Sequence, residues 1–323
     1  MNFESQRPLS QALIWIFVAN ICCDFVGRDG RLAASTTGAD MNDILMPGVY
    51  RGINATRYHS DPAPAPSLSN SIIGPLLNKS PRHAMLQHPR LNASYERTDN
   101  SVFDLGRAAH SLLLEGEDIA SVIDADDWRT KAAKDARDEA RANGLVPLLK
   151  HQHEQATAMV KAAREFVAST QHAGIFSDGH GEQAMVWEMD GIYCRALVDW
   201  LTEDRSLVID YKTTGADCPQ AWMRGHMVQH GYDTQAEFTK LGLNHLGHHG
   251  AKFLFLVQET EAPHMCYFVE PSESMAAVAV SKITRATKLW RECLSQNKWP
   301  GYQKTPYEAE AAAWSIADEE GKL

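Results

Sequence analysis

The sequence lacks the cysteine pattern of a disulfide-rich or zinc-binding protein. Its 323 residues include six scattered cysteines and no Cys-x-x-Cys or Cys-x-x-His motif. Zinc ribbons need such motifs, and small secreted scaffolds place their cysteines in a regular framework. We therefore interpret the cysteines as reduced thiols and expect a cytoplasmic protein.

Positive charge is also scarce. The chain has 31 Lys and Arg residues against 41 Asp and Glu residues, a formal net charge of −10. This balance excludes a nucleic-acid binder with a uniformly basic surface, but not one with a local basic groove. Hydrophobic residues make up 44% of the chain, which is typical of a globular protein and excludes collagen-like and wholly disordered classes.

No apolar run is long enough to span a membrane. The longest, over residues 12–23, has about half the required length. Because it follows Arg7, it could be the hydrophobic region of a signal peptide, which would predict a mature N-terminus beyond about residue 30. The residues after it contain no convincing cleavage signature. We favour the alternative that residues 1–45 are a poorly ordered extension.

The periodicity of apolar residues predicts a domain over residues 46–302 that begins with helices and continues with strands. Residues 46–66 are rich in proline and glycine and predict an extended lead-in. The part over residues 67–170 is helical. Its helices are predicted over residues 67–77, 80–88 and 102–115, and as a pair over 128–169 whose second member spans about 146–167.

After Gly174 the pattern changes to strands, which predicts a catalytic core over residues 180–296. An Asp190-Gly191 pair is a strong hairpin signal between the first two strands. The order of elements predicts an α/β (α+β) fold, with a central mixed sheet of about five strands flanked by helices. The elements are strands over 182–188, 192–200, 206–213, 251–258 and 265–270, helices over 218–243 and 271–296, and an acidic tail over 303–323.

The segment over residues 129–164 is the one basic stretch, with eight basic and four acidic residues. Two interpretations stay open. It could be a solvated helix face with ion pairs, or a surface that faces phosphate groups.

Two acidic residues and one basic residue end neighbouring predicted strands. Asp210 and Lys212 lie two residues apart after an apolar strand, so they project to one face, while Tyr211 faces the other way. A turn near residues 203–204 would bring Asp199 close to Asp210. Two neighbouring buried carboxylates normally bind a divalent cation or share a proton. Carboxylate oxygens favour Mg²⁺ or Mn²⁺, and a lysine beside them can orient a bound water.

Asp199, followed eleven residues later by residues 210–214 (DYKTT), resembles the signature of the PD-(D/E)XK nuclease superfamily. The stretch over residues 46–302 resembles more closely the RecE, or exodeoxyribonuclease VIII-type, family of phage and prophage exonucleases. Three further segments in the expected order carry this resemblance. They are Tyr58-His59 with residues 67–77, residues 106–115 (GRAAHSLLLE), and residues 290–302 (WRECLSQNKWPGY).

The resemblance implies a metal site and a catalytic lysine. Asp199 and Asp210 would be metal ligands, joined by the backbone carbonyl of Tyr211 and by the side chain of His110. Lys212 would position or activate the attacking water. An additional catalytic glutamate would be Glu182, with Glu188 as its rival for that position.

The resemblance also implies substrate contacts. The family has a glutamine followed four residues later by a tyrosine, and Gln235 fits the glutamine. Position 239 is threonine, so the motif is incomplete, although Tyr232 could substitute in part. Thr213 and Thr214, which end the DYKTT segment, are further predicted substrate-binding residues.

The function implied by the resemblance is a Mg²⁺-dependent exodeoxyribonuclease, with Mn²⁺ as an alternative ion. It would digest double-stranded DNA from its ends, 5′ to 3′ and without ATP, as a ring-shaped homo-oligomer with a RecT-type single-strand annealing partner. Related nucleases bind an iron–sulfur cluster through a C-terminal cysteine trio, whereas only Cys293 lies in that region, so no cluster is expected. The alternatives are a single-strand or structure-specific nuclease, and a catalytically weakened DNA-binding module.

Overall fold

The computed structural model describes residues 44–96, 103–216 and 218–322. The N-terminal extension expected over residues 1–45, apart from its last two residues, and the apolar run over residues 12–23 lie outside this part of the chain.

Strands in the described residues form two sheets. A six-stranded sheet has the order β1-β4-β5-β6-β7-β8, and all its neighbours are antiparallel except β6 and β7; β2 and β3 form a small parallel sheet. The strands are β1 Gly48–Tyr50, β2 Ala120–Ile123, β3 Val146–Leu149, β4 His180–Met189, β5 Ile192–Leu201, β6 Leu207–Thr214, β7 Lys252–Glu259 and β8 Cys266–Val269.

Helices surround the sheet. None in the described residues is long and apolar enough to cross a membrane. They are α1 Ala55–His59, α2 Asn70–Asn78, α3 Pro81–Leu86, α4 Asp104–His110, α5 Lys131–Ala142, α6 Lys150–Ala168, α7 Pro219–Ala221, α8 Met227–Gln229, α9 Tyr232–His245, α10 Glu273–Gln296 and α11 Ala313–Glu320, with π-helical turns at Ser111–Glu115 and Trp222–His226.

The two faces of the sheet pack against different helices. Successive residues of a strand point to opposite faces. Accordingly, Phe255 of β7 belongs to the apolar cluster that contains Phe238 of α9 and Trp290 of α10. Its neighbour Leu256 belongs to the cluster that contains Ala109 of α4 and Met159 of α6. The predicted α/β class, with a mixed sheet flanked by helices, is confirmed.

The predicted hairpin between the first two core strands is present. Asp190 and Gly191 both have positive φ values, +52° and +75°, as a two-residue type I′ turn requires. The turn fixes the register in which Met189 pairs with Ile192.

The structure differs from the expected elements in three details. The sheet has six strands, because residues 48–50 of the expected lead-in pair with β4. Residues 146–149 form strand β3 and not the first turn of a helix, because they pair with the distant β2. The single helix expected over 218–243 is interrupted at Gly231, whose φ of +71° ends one helical segment before α9 begins. The expected acidic tail contains the exposed helix α11.

Candidate active site

Strands β5 and β6 separate where two aspartates face each other. The ladder between them pairs Trp200 with Ile209 and Leu201 with Val208, so the same register places Asp199 opposite Asp210. The strands form no ladder bond at that pair. Instead, the backbone N–H of Tyr211 donates to Asp199 Oδ2 at 3.0 Å. The sequence-predicted convergence of these strand ends is present.

Asp210 is the buried member of the pair, with 2% of its surface exposed. Lys212 Nζ lies 2.5 Å from its Oδ1 atom, and Gln235 Nε2 of α9 donates to its Oδ2 atom at 2.5 Å. Burial, together with the charge of Asp199, raises the pKa of Asp210 to about 6, although Lys212 opposes this effect. Gln235 therefore donates a hydrogen bond to one oxygen of Asp210, and the ammonium group of Lys212 lies against the other.

A second group of side chains lies on the Asp199 side. His110 Nε2 lies 3.2 Å from Asp199 Oδ2, and His110 Nδ1 lies 3.6 Å from Glu182 Oε1. One ligand atom from each of the three residues lies within 4.8 Å of the other two. We call His110, Glu182 and Asp199 the acidic triad.

The backbone brings the acidic triad together by two local features. Glu182 lies opposite Asp199 in the register of β4 and β5, and its φ of +47° is a left-handed conformation that costs energy for a residue other than glycine. His110 ends α4, directly before the π-helical turn over Ser111–Glu115, and such turns are frequent at functional sites.

Gly106 allows the helix that carries His110 to approach the sheet. A Cβ atom at this position would lie 2.9 Å from Thr213 Oγ1 of β6, too close for a side chain without displacement. The absence of a side chain at Gly106 therefore places α4, and with it His110, against the end of β6.

The electrostatics of the acidic triad are those of crowded carboxylates. Burial raises the pKa of Glu182 to about 7, and His110 opposes only part of the shift. Burial lowers the pKa of His110, but Asp199 and Glu182 outweigh it and raise the value to about 9. Burial opposes ionisation of Asp199, yet His110 and Lys212 hold its pKa below the ordinary value.

These groups line an open cleft of about 870 Å³. Its floor includes the acidic triad and Lys212, and its other walls come from α1, α4, the π-helical turn after α4, and Tyr232. Lys212 Nζ lies 5.0 Å from the centre of the Tyr232 ring, which stacks on Trp222 at 5.7 Å.

The predicted substrate-binding residues occupy different environments. Thr213 and Tyr232 line the cleft, and Gln235 bonds to Asp210 as described. Thr214 is 5% exposed, and its Oγ1 atom accepts the backbone N–H of Ala216. Thr239, at the position of the family tyrosine, is 3% exposed, so it lies in the core.

The side chain of Tyr211 points to the opposite side of β6, as strand alternation predicts. Its hydroxyl donates to Gln258 Oε1, and Gln258 Nε2 donates to the carbonyl of Met159 in α6. Its backbone N–H holds Asp199, so the residue links the core to the site through both its side chain and its backbone.

Several cleft residues had no predicted role. Phe103, Arg107 and Glu115 line the cleft on the same helical segment as His110. Helical spacing from His110 is the signal that could have identified Phe103 and Arg107, because positions three, four and seven apart share a face.

Gly144 lines the cleft, but the eight basic side chains of the stretch over residues 129–164 do not. Arg141 instead forms an ion pair with Asp104 of α4 at 2.9 Å, and Lys161 lies 3.9 Å from Glu165. The basic side chains of this stretch therefore resemble a solvated face with ion pairs.

A protein-family model described as a PDDEXK-like domain of unknown function (DUF3799) matches residues 70–310. The chain belongs to this family. The description of the family names the PD-(D/E)XK type of core that the sequence predicted, so that core is confirmed. No curated protein matches the chain.

One solved structure shows the same fold. A “putative exonuclease” from Eubacterium rectale is similar with a TM-score of 0.51 and 10% sequence identity, covering 82% of this chain and 96% of its own. The alkaline exonuclease LHK-Exo from Laribacter hongkongensis is 12% identical over 61% of this chain and 96% of its own, with a TM-score of 0.25. The first similarity shows the fold, and the second is too low to support an argument.

The acidic triad fits the divalent cation that PD-(D/E)XK nucleases use. It offers one imidazole nitrogen and two carboxylate oxygens within 4.8 Å of one another, a donor set suited to Mg²⁺ or Mn²⁺. Glu182, predicted as a catalytic residue, belongs to this triad, and the predicted ligand Asp210 lies next to it, beside Lys212 and Gln235. The family and the triad together support a metal-dependent nuclease.

Proposed function

We propose that this protein is a divalent-metal-dependent exonuclease that hydrolyses phosphodiester bonds from the ends of double-stranded DNA. One observation carries the proposal. Asp199 and Lys212 line an open cleft together with His110 and Glu182, and the buried Asp210 lies behind them, paired with Lys212. Such a set of acids, one histidine and one lysine is suited to metal-dependent hydrolysis of a phosphodiester.

The metal would be held by His110, Glu182 and Asp199, with Asp210 and the carbonyl of Tyr211 as the further ligands that the family resemblance implies. A bound divalent cation polarises the scissile phosphate and lowers the pKa of a bound water. Mg²⁺ is the ion we propose, with Mn²⁺ as the alternative.

The residues of the chain orient the reactants. Asp210 and Asp199 raise the pKa of Lys212, although burial opposes them, so the ammonium stays charged and can donate to the attacking water or to a phosphate oxygen. Gln235 fixes the carboxylate of Asp210, and the N–H of Tyr211 fixes that of Asp199. These hydrogen bonds hold both acids in place before substrate arrives.

Finer features of the proposal rest on the resemblance to the RecE family. They are 5′-to-3′ digestion without ATP, assembly into a homo-oligomer, and action in phage-type recombination with a RecT-type annealing protein in the cytoplasm. Digestion of DNA labelled at either end tests the direction, and a native mass measurement tests the oligomeric state.

The test of the proposal is digestion of end-labelled linear duplex DNA with Mg²⁺. Wild-type protein should release nucleotides, and both Lys212→Ala and Asp210→Ala should abolish release. Lys240→Ala is a matched control, because Lys240 also forms an ion pair at 2.5 Å, with Glu237, but lies outside the cleft. Retained activity in Lys212→Ala or Asp210→Ala would refute the assignment.

A comparison of substrates separates the alternatives. Cleavage of single-stranded DNA or of a nicked circle in preference to a linear duplex end would show a single-strand or structure-specific nuclease. Binding of DNA without hydrolysis by any divalent metal would show a DNA-binding module.

A further inference from the structure

An exposed aromatic side chain lies at the cleft without a role in the core. Phe103 directly precedes α4, and 62% of its surface is exposed. Among the exposed large hydrophobic side chains of the described residues, Phe103 is the one that lines the cleft. A single exposed apolar residue is ordinary on a protein surface, so its surroundings decide its meaning.

Phe103 shares a helix face with His110, one member of the acidic triad. Phe103, Arg107 and His110 are separated by four and three residues, which places them on one side of the helical segment, and all three line the cleft. The rise of a helix puts Phe103 about 10 Å from His110 along the axis. This face therefore runs from an aromatic ring, past a guanidinium group, to the metal site.

In the described part of the chain, the cleft has few lysines and arginines that could bind a phosphate backbone. Its lysines and arginines are Lys212, which is bound to Asp210 at 2.5 Å, and Arg107, which lies 3.8 Å from Asp104. Against them stand the acidic residues Glu115, Glu117, Glu182 and Asp199. Ionic contacts alone would hold DNA weakly in such a cleft, because nucleic-acid affinity depends strongly on phosphate neutralisation.

Aromatic rings supply a different kind of contact. Stacking of a base on an aromatic side chain tolerates every base but requires that the base is unpaired. We infer that Phe103 is a base-stacking residue, which holds an unpaired nucleotide of the DNA beside the acidic triad. The inference rests on the proposed function and adds to it that the strand entering the cleft is single-stranded at Phe103.

The test measures binding separately from cleavage. The parent is the full chain with Lys212→Ala, kept in Ca²⁺, and the probe is a fluorescent single-stranded oligonucleotide read by anisotropy. Adding Phe103→Ala should weaken binding about tenfold, and Phe103→Trp should restore it. Tyr302→Ala is a matched control, because Tyr302 is also 62% exposed but lies outside the cleft, and it should leave binding unchanged.

A set of oligonucleotides with one abasic site at successive positions locates the stacked base. At one position the abasic site should weaken binding to the parent, and Phe103→Ala should then cause no further loss. A purely structural effect of Phe103→Ala would weaken binding equally at every position and would overturn the inference. Unchanged binding by Phe103→Ala, or no binding of DNA by the parent, would also overturn it.

The outcome is distinguishable from that of the proposed function. Position-dependent coupling without metal-dependent hydrolysis by the wild type would support the stacking role and refute the exonuclease. Hydrolysis by the wild type with no coupling at any position would support the exonuclease and refute the stacking role.

Discussion

Strand β5 contributes to two polar clusters of opposite character. Arg195 belongs to a cluster around Asp61, in which the carboxylate lies 2.9 Å from Arg195 Nη1, 3.2 Å from His88 Nε2 and 2.6 Å from Ser67 Oγ. Four residues later on the same strand, Asp199 belongs to the acidic triad beside Asp210. The carboxylate of Asp61 is thus surrounded by donors, whereas the three carboxylates of Glu182, Asp199 and Asp210 share one histidine and one lysine.

The pKa values reflect this difference. Burial would raise the pKa of Asp61, but hydrogen bonds from His88 and Ser67 and the charge of Arg195 hold it below its ordinary value. In the cleft, burial and repulsion raise the pKa of Asp210 to about 6. A cluster with its charges balanced by the protein stabilises the fold, and a cluster with surplus negative charge is suited to an external cation.

The difference between the two clusters is tested most directly by removing the charge of Asp210. Asp210→Asn should lower the rate of metal-dependent hydrolysis at least a thousandfold, about 4 kcal/mol in the barrier. Because the substitution also removes repulsion with Asp199, the free energy of unfolding without metal should change by less than about 1 kcal/mol. Duplex digestion and urea denaturation measure the two quantities, and an active variant would contradict the comparison.

Removing the charge of Asp61 should instead destabilise the fold. Asp61→Ala leaves Arg195, 4% exposed, buried without its carboxylate, which should lower the free energy of unfolding by roughly 3–4 kcal/mol. The exposed Asp118, which pairs with His153 at 2.8 Å, provides the control, since Asp118→Ala should cost less than about 1 kcal/mol. Equal losses of unfolding free energy in the two variants, measured by urea denaturation, would show that the Asp61 cluster stabilises the fold no more than an exposed ion pair does.

A bound divalent cation should stabilise the folded protein. Mg²⁺ or Mn²⁺ at a hundred times its dissociation constant should raise the free energy of unfolding by about 2.7 kcal/mol, and EDTA should reverse the gain. Glu182→Gln should reduce the gain, whereas Glu188→Gln, an exposed position on the same strand, should preserve it. A thermal-shift titration measures this, and equal gains in both variants would exclude Glu182 as a ligand.

The smallest predicted effect is the loss of stability at low pH. The pKa of Asp61 lies below its ordinary value of 3.8, so its stabilisation is present above pH 3.8 and is lost as the pH falls through the lower folded value. Stability of the wild type should therefore fall below pH 4. Asp61→Asn, with no carboxyl group to titrate at this position, should lose less over that range, by on the order of 1 kcal/mol. Parallel pH profiles would contradict the assignment.

Local pattern was enough to predict one half of the site. Asp199, Asp210 and Lys212 follow from strand alternation and from a short hairpin, both of which depend on neighbours in sequence. Glu182 and His110 were assigned through the family resemblance alone. Their approach depends on a left-handed backbone at Glu182 and on the contact between α4 and β6, which no periodicity encodes.

The architectural errors have the same origin. Residues 146–149 are apolar and directly precede a helix, so only the distant partner β2 makes them a strand. Gly231 lies within a continuous helical pattern, and a single glycine there is compatible with an uninterrupted helix until its φ is known. Strand β3 was missed because it forms only with a distant partner, and the helix break was missed because it depends on the backbone conformation of one glycine.

The contact between Gly106 and Thr213 means that the ligand geometry can be altered from a distance. A methyl group at position 106 would meet Thr213 Oγ1 at 2.9 Å, so the Thr213 side chain, the helix or the strand end would have to shift. His110 lies one turn further along that helix. The spacing of the imidazole from its two acids therefore depends in part on a residue outside the acidic triad that has only a hydrogen atom as its side chain.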